Sequence, residues 1–280
     1  MIGIEPAPVG CPDLAAVEMS DDVATRWGQP AAVGGMVRRR SLLVALLGIA
    51  LGARTAEAQS PPSKVAVYGD SMAQGVGFML NQALLRDTRF RVVNRAKSST
   101  ALGQPAYNWI EAVRASLHQD NPAFAVMMFG GNDRLAMRPP GGGPYVPFGS
   151  DLWISLYRAR LETMLQLLAD ASVRIVWCGN PIAREPRYSR DMQFLNGIYR
   201  TAVEARGQIF IDTWPLFADE QGRFTAERRT HRGSVARVRA EDGIHMTAAG
   251  YGMVAHQVLA NLEELSAVRG APGSAPAVAS

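Results

Sequence analysis

The chain has 280 residues, of which 48% are hydrophobic and 19% are charged, and its net charge is +4. This balance is typical of a globular protein and excludes a disordered, collagen-like or coiled-coil chain. The two cysteines, Cys11 and Cys178, have no metal-ligand spacing and indicate neither a disulfide framework nor a zinc site. No dense run of Lys and Arg is interleaved with aromatic residues, so we expect no nucleic-acid partner.

An export signal is the first predicted element. Three arginines at 38–40 precede the apolar run 41–53, and the small residues of Ala56-Glu57-Ala58 follow it. Basic, apolar and small-residue regions in this order predict a signal peptide over residues 36–58. The apolar run of about 13 residues is shorter than the roughly 20 that a spanning helix needs, so we expect no stable transmembrane anchor. The mature protein is therefore predicted to be periplasmic or secreted.

The rest of the chain divides into three parts. Residues 1–35 precede Met36 and are unlike the start of a signal peptide, so we hypothesise that they are a non-native extension. Residues 59–268 are predicted to form one domain. The tail 269–280, rich in Ala, Pro and Ser, is predicted to be disordered.

Within the domain, short apolar runs alternate with longer amphipathic segments. The apolar runs lie at 64–68, 91–94, 123–129, 173–178 and 208–211. A helical pattern follows each run. The first ends near residue 85, and the other four cover 106–117, 151–169, about 190–205 and 247–265. This alternation is typical of a parallel sheet that right-handed crossovers cover with helices on both faces. We therefore predict an α/β fold, a three-layer α/β/α sandwich with a five-stranded parallel sheet.

Two connecting segments, 130–150 and 212–242, are longer than usual and are predicted to be functional or mobile loops. The second is rich in basic residues: Arg223, Arg228, Arg229, His231, Arg232, Arg237 and Arg239. Guanidinium groups pair with carboxylates and phosphates, which would suit an acidic acylated substrate. The alternative is a solvated loop, since charge runs are usually solvated faces.

Candidate catalytic residues follow the predicted strands, where a parallel sheet has its binding crevice. Ser71 stands at a strand-to-helix turn, and it is either a nucleophile or the N-cap of the helix. Asp242 lies three residues before His245, so its carboxylate could orient the imidazole as the base that Ser71 needs. The alternative is that Asp242 only caps the last helix.

Asn132 follows the third strand. Its side-chain amide could stabilise a developing oxyanion together with the backbone amide of Ser71. The alternative is a turn residue, because Gly-Gly-Asn-Asp is prone to form turns.

The motifs G-D-S-M at 69–72, G-G-N-D at 130–133 and D-G-I-H at 242–245 resemble blocks of the SGNH (GDSL-like) hydrolase superfamily. The resemblance covers about residues 64–265 and implies a flavodoxin-like fold. It assigns the nucleophile to Ser71, the other triad members to Asp242 and His245, and the oxyanion hole to Asn132 and a glycine amide. This chain has Ser99 about where that glycine is expected, so the Ser99 backbone amide becomes the second donor.

These observations predict an exported serine esterase that cleaves short acyl, above all acetyl, esters. The substrate would be an acylated small molecule or envelope glycan, and no metal or other cofactor is expected. An O-acyltransferase acting on glycans would use the same residues with a different acyl acceptor. A catalytically silent carbohydrate-binding protein that has kept the fold is the third alternative.

Overall fold

The computed structural model describes residues 61–230 and 232–270, and the structural statements below concern this part of the chain. The predicted extension 1–35, the signal peptide 36–58, His231 and the tail from 271 onward lie outside the described residues.

Five strands form one parallel sheet in the order β2-β1-β3-β4-β5. They are β1 (Ser63–Gly69), β2 (Phe90–Asn94), β3 (Phe124–Met128), β4 (Arg174–Cys178) and β5 (Ile209–Ile211). Every neighbouring pair is parallel. This strand order is the flavodoxin-like one, whose binding crevice lies where the order reverses, between β1 and β3. The predicted five-stranded parallel sheet is confirmed.

Five long helices cover the sheet. They are α1 (Ser71–Ala83), α2 (Trp109–Asp120), α3 (Asp151–Asp170), α4 (Pro186–Glu204) and α6 (Ala248–Gly270), with the single turn α5 (Trp214–Phe217) between the last two. Two separate clusters of buried side chains lie on the two faces of the sheet, one with α1 and α6 and the other with α2, α3 and α4. The predicted α/β/α sandwich is therefore confirmed.

Capping side chains set two helix starts that the apolar pattern missed. Helix α2 begins at Trp109 because the Asn108 side chain accepts a hydrogen bond from Glu111 N–H at 3.3 Å. Helix α4 begins at Pro186, four residues before the predicted start, because Glu185 accepts from the first amides of the helix. The polar residues between 186 and 190 hid this first turn from a reading based on hydrophobic period.

The prediction of a long loop over 212–242 is wrong in part. The segment contains α5 and an antiparallel hairpin of β6 (Glu227–Arg229) and β7 (Val235–Arg237). Each strand is only three residues long, and β6 is entirely charged, so the hairpin lacks the apolar alternation that reveals a half-buried strand.

Cys178 ends β4 and is fully buried, and burial raises the pKa of its thiol to about 12. It packs as a small hydrophobic residue in the cluster beneath α1 and α6. None of the helices in the described ranges is both long and apolar enough to cross a bilayer.

Candidate active site

The turn between β1 and α1 exposes the Ser71 hydroxyl. Gly69 has a φ of +140°, and a Cβ at this position would lie 1.8 Å from the carbonyl oxygen of Met128 on β3. Asp70, which is buried, is the N-cap of α1, because its Oδ1 accepts from Met72 N–H at 2.9 Å. Ser71 is therefore the first helical residue rather than the cap, and its hydroxyl is free for another partner.

The structure brings Ser71, His245 and Asp242 together as a hydrogen-bonded relay. Ser71 Oγ lies 2.8 Å from His245 Nε2, and His245 Nδ1 lies 2.6 Å from Asp242 Oδ2. The other carboxylate oxygen, Oδ1, accepts from the backbone N–H groups of Ile244 at 2.8 Å and His245 at 2.9 Å. Gly243, with a φ of +72°, makes the tight turn that this arrangement needs.

The hydrogen bonds of the relay favour the charged form of Asp242 and select the tautomer of His245. Burial works against ionisation of Asp242, but hydrogen bonds from the His245 ring and from two backbone N–H groups hold its pKa below the ordinary value of 3.8. A carboxylate accepts only, so the Nδ1 atom of His245 must carry the ring proton. The Nε2 lone pair then faces the Ser71 hydroxyl and is placed to take its proton.

Asn132 lies after β3 and is oriented by the neighbouring segment. Its Nδ2 donates to the carbonyl oxygen of Thr100 at 3.0 Å, which fixes the amide with its nitrogen toward the segment that follows β2. The amide nitrogen carries two hydrogens, and this bond uses one of them. The second is available to a developing oxyanion.

Ser99 has the backbone conformation of a glycine. Its φ is +59°, in the left-handed region that non-glycine residues seldom adopt. Its side chain is exposed, and the next residue is the Thr100 that receives the Asn132 amide. This conformation supports Ser99 as the counterpart of the expected glycine. Neither Ser99 nor Asn132 bonds directly to the relay within the described residues.

Two buried carboxyl groups hydrogen-bond to backbone N–H groups around the site. We did not single them out from the sequence. Asp70 Oδ2 accepts from Gly131 N–H at 3.0 Å, and Asp133 Oδ1 accepts from Gly103 N–H at 2.7 Å. Burial raises the pKa of Asp70 to about 6 and that of Asp133 to about 7, despite the N–H groups that each accepts. Asp70 belongs to the G-D-S-M motif and Asp133 to the G-G-N-D motif. Membership of these motifs was the sequence signal from which both residues could have been found.

The arginines of the basic segment 212–242 differ in whether they are paired, buried or without a carboxylate partner. Arg223 pairs with Asp219 at 2.9 Å, and Arg239 is fully buried. Among the described residues, no carboxylate lies within 4 Å of the three hairpin arginines, which are Arg228, Arg229 and Arg232. Their charge is therefore available to a partner.

The relay is open to solvent. The side chain of His245 is 40% exposed and that of Asp242 is 43% exposed. Residues 61–230 and 232–270 contain no group of three or more His, Cys, Asp and Glu side chains that could hold a metal ion.

The chain has a Ser-His-Asp relay at the carboxyl edge of a flavodoxin-like sheet, and three sequence motifs supply its residues. This combination is typical of the SGNH (GDSL-like) hydrolase superfamily, as the sequence predicted. Within it, residues 64–261 match the family described as "Protein of unknown function (DUF459)", and the chain belongs to that family. A search of curated protein sequences gives no significant match.

Similar solved structures carry the same fold. A lipase/acylhydrolase from Enterococcus faecalis is 15% identical with a TM-score of 0.51, covering 72% of this chain and 96% of its own. A GDSL-like lipase from Bacteroides thetaiotaomicron is 14% identical with a TM-score of 0.52, covering 72% and 89%. A catalytic mutant of an acetylxylan esterase from Geobacillus stearothermophilus is 18% identical with a TM-score of 0.50, covering 72% and 95%. At these identities the likeness establishes the fold.

Proposed function

We propose that the protein is an exported serine esterase that removes short acyl groups, above all acetyl, from an envelope glycan. The observation that carries this proposal is the continuous relay from Ser71 through His245 to Asp242, with bonds of 2.8 and 2.6 Å. A silent binding protein has no need of an imidazole poised between a hydroxyl and a carboxylate, so the relay favours an enzyme.

The reaction has two halves. Ser71 Oγ attacks the ester carbonyl carbon while its proton passes to His245 Nε2, and the Asn132 amide and the Ser99 N–H stabilise the oxyanion. The C–O bond to the sugar then breaks as His245 returns the proton to the departing alkoxide. A water molecule gives a proton to His245 and attacks the acyl-enzyme carbonyl carbon. The bond from that carbon to Ser71 Oγ then breaks as His245 passes the proton to Oγ, which releases the carboxylic acid and restores the serine hydroxyl.

The open site supports a small acyl group on a large carrier. The half-exposed His245 ring is accessible to a polymer and to water, which favours water over a sugar hydroxyl as the acyl acceptor. The uncompensated charges of Arg228, Arg229 and Arg232 suit an acidic polysaccharide or peptidoglycan. An acetylxylan esterase among the structures of similar fold is consistent with an acetylated glycan. Export rests on the signal peptide predicted over residues 36–58.

Hydrolysis by the mature chain from Gln59 tests the proposal. p-Nitrophenyl acetate and acetylated glycans should be hydrolysed, while long-chain acyl esters should be poor substrates. Ser71→Ala should abolish turnover because it removes the nucleophile. Ser98→Ala is a matched control, since Ser98 Oγ donates to Gln74 Oε1 at 2.6 Å and takes no part in the relay.

Three results would contradict the proposal. Equal turnover by the parent and Ser71→Ala proteins would favour the binding-protein alternative. Activity that rises steadily with acyl length would indicate a lipase or thioesterase. Release of acetate that requires an added sugar acceptor would indicate an acyltransferase.

A further inference from the structure

Arg239 is fully buried directly beneath the turn that carries Asp242 and His245. Its Nη2 donates to the carbonyl oxygens of Ile244 at 2.5 Å and Gly243 at 3.2 Å, and its Nε donates to that of His245 at 3.3 Å. Its Nη1 donates to the carbonyl oxygen of Ile182, beyond the end of β4. One guanidinium therefore holds three consecutive carbonyl groups of the D-G-I-H turn.

The surroundings of Arg239 are apolar rather than acidic. Its guanidinium lies over the rings of Phe217 at 5.1 Å and Phe224 at 5.4 Å. No carboxylate lies within 4 Å of it among residues 61–230 and 232–270. Removing a cation from water is costly, and the backbone carbonyl groups, the ring faces and the charge of Asp242, which lies beyond 4 Å, compensate that cost here.

We propose that Arg239 is a positioning residue that holds His245 and Asp242 in register with Ser71. The turn from 242 to 245 closes around Gly243, and its carbonyl groups accept from donors outside the turn. The Gly243 carbonyl oxygen also accepts from Arg184 N–H at 3.0 Å and that of His245 from Ala240 N–H at 2.9 Å, whereas the Ile244 carbonyl oxygen accepts from Arg239. The planar guanidinium supplies several donors at fixed directions. A lysine ammonium is a single point and cannot reproduce this fork.

The inference rests on the proposed function for its meaning, but its test does not require that a natural substrate be known. The mature chain is treated with a fluorophosphonate probe, which modifies an activated serine nucleophile, and the labelling rate of Ser71 is measured. Arg239→Ala should lower that rate about 100-fold, the effect of displacing a catalytic group by about 1 Å. Arg239→Lys should recover only part of the loss.

A structural role alone is separated from positioning by two controls. Leu168→Ala removes a fully buried side chain on the opposite face of the sheet, and it should lower thermal stability while leaving the labelling rate unchanged. Millimolar guanidinium should restore labelling of Arg239→Ala in a saturable manner, because it refills the vacated site. Methylammonium, with the same charge but no fork, should not.

Wild-type labelling rates in both Arg239 variants would overturn the inference, and so would equal losses in Arg239→Ala and Leu168→Ala at equal stability. Where Arg239→Ala does not fold, the rate of Arg239→Lys decides, and parity with wild type refutes the role. A wild-type chain that is labelled yet hydrolyses none of the esters would refute the proposed function and leave the Arg239 comparison intact.

Discussion

Residues 69, 70 and 71, in the turn between β1 and α1, each have a different structural role. Gly69 permits the close approach of β1 and β3, Asp70 caps α1 and holds Gly131, and Ser71 presents its hydroxyl to His245. A serine that also capped the helix would have its oxygen committed to backbone N–H groups. Placing the cap one residue earlier leaves that oxygen free to bond His245 Nε2.

Asn132→Ala tests the oxyanion role. We expect kcat for p-nitrophenyl acetate to fall about 100- to 1000-fold with little change in KM, because the donor acts on charge that develops only in the transition state. Steady-state kinetics of the chain from Gln59 onward measure this. Unchanged kcat would assign the Asn132 amide to holding Thr100 alone.

At the scale of elements, the carboxyl edge of the sheet is held by contacts that tolerate no extra atoms. The end of β3 is followed by Gly130, where a Cβ would lie 2.2 Å from Nδ2 of Asn180. That amide donates to the Phe129 carbonyl oxygen at 2.7 Å, and Asn196 holds Asn180 in turn. These bonds tie the segments that follow β3 and β4 to each other next to Asn132.

Gly69→Ala should destabilise this edge by about 3 kcal/mol or more, because it combines a strained φ with a collision against β3. Gly149→Ala is the matched control, since Gly149 has a φ of +78° and open space around it. The control should lose only the conformational cost of about 1–2 kcal/mol. Urea unfolding measures both, and equal losses would show that the contact with Met128 is unimportant.

The strands were predictable because each is an apolar run, and the relay residues because each follows a strand or precedes a helix. The β6–β7 hairpin was not, since each strand has only three residues and β6 is entirely charged. Arg239 was hidden for a related reason. It is one of several arginines in a basic stretch. Neither composition nor hydrophobic periodicity shows which of them is buried. The left-handed conformation of Ser99 was not predictable from its residue type, because a serine seldom adopts a positive φ.

For the whole molecule, the buried carboxyl groups link stability to pH. The folded pKa of Asp133, about 7, lies above its ordinary value of 3.8. Between about pH 4 and 7 the folded chain keeps a proton that the unfolded chain has lost, so stability falls as pH rises, by up to about 1.4 kcal/mol per pH unit for each such group. Asp70, with a folded pKa of about 6, acts in the same direction.

Asp133→Asn should therefore flatten the fall in the free energy of unfolding between about pH 4 and 7. The amide is neutral at every pH, and its oxygen still accepts from Gly103 N–H. Urea unfolding of parent and variant across this range is the measurement. Parallel pH dependences would assign the effect to other groups.

The charge of the hairpin should make activity on an acidic glycan depend on salt. Screening at 0.15 M ionic strength shortens the reach of exposed charges to about 8 Å, so KM for an acetylated acidic polymer should rise with added salt. Changing Arg228, Arg229 and Arg232 together to Gln should remove this dependence. Turnover of uncharged p-nitrophenyl acetate should be indifferent to both changes, and a salt-independent KM in the parent would exclude the hairpin from recognition.

The reactivity of Cys178 reports how often the sheet opens in the chain from Gln59 onward. It is the single thiol after residue 58, and it is fully buried at the end of β4 with a pKa of about 12. A thiol reagent can reach it only when β4 separates from the cluster beneath α1 and α6. The rate at which the Cys178 thiol is modified therefore reports how often this part of the fold opens cooperatively. Gly69→Ala should speed that modification, whereas Ser71→Ala should leave it unchanged.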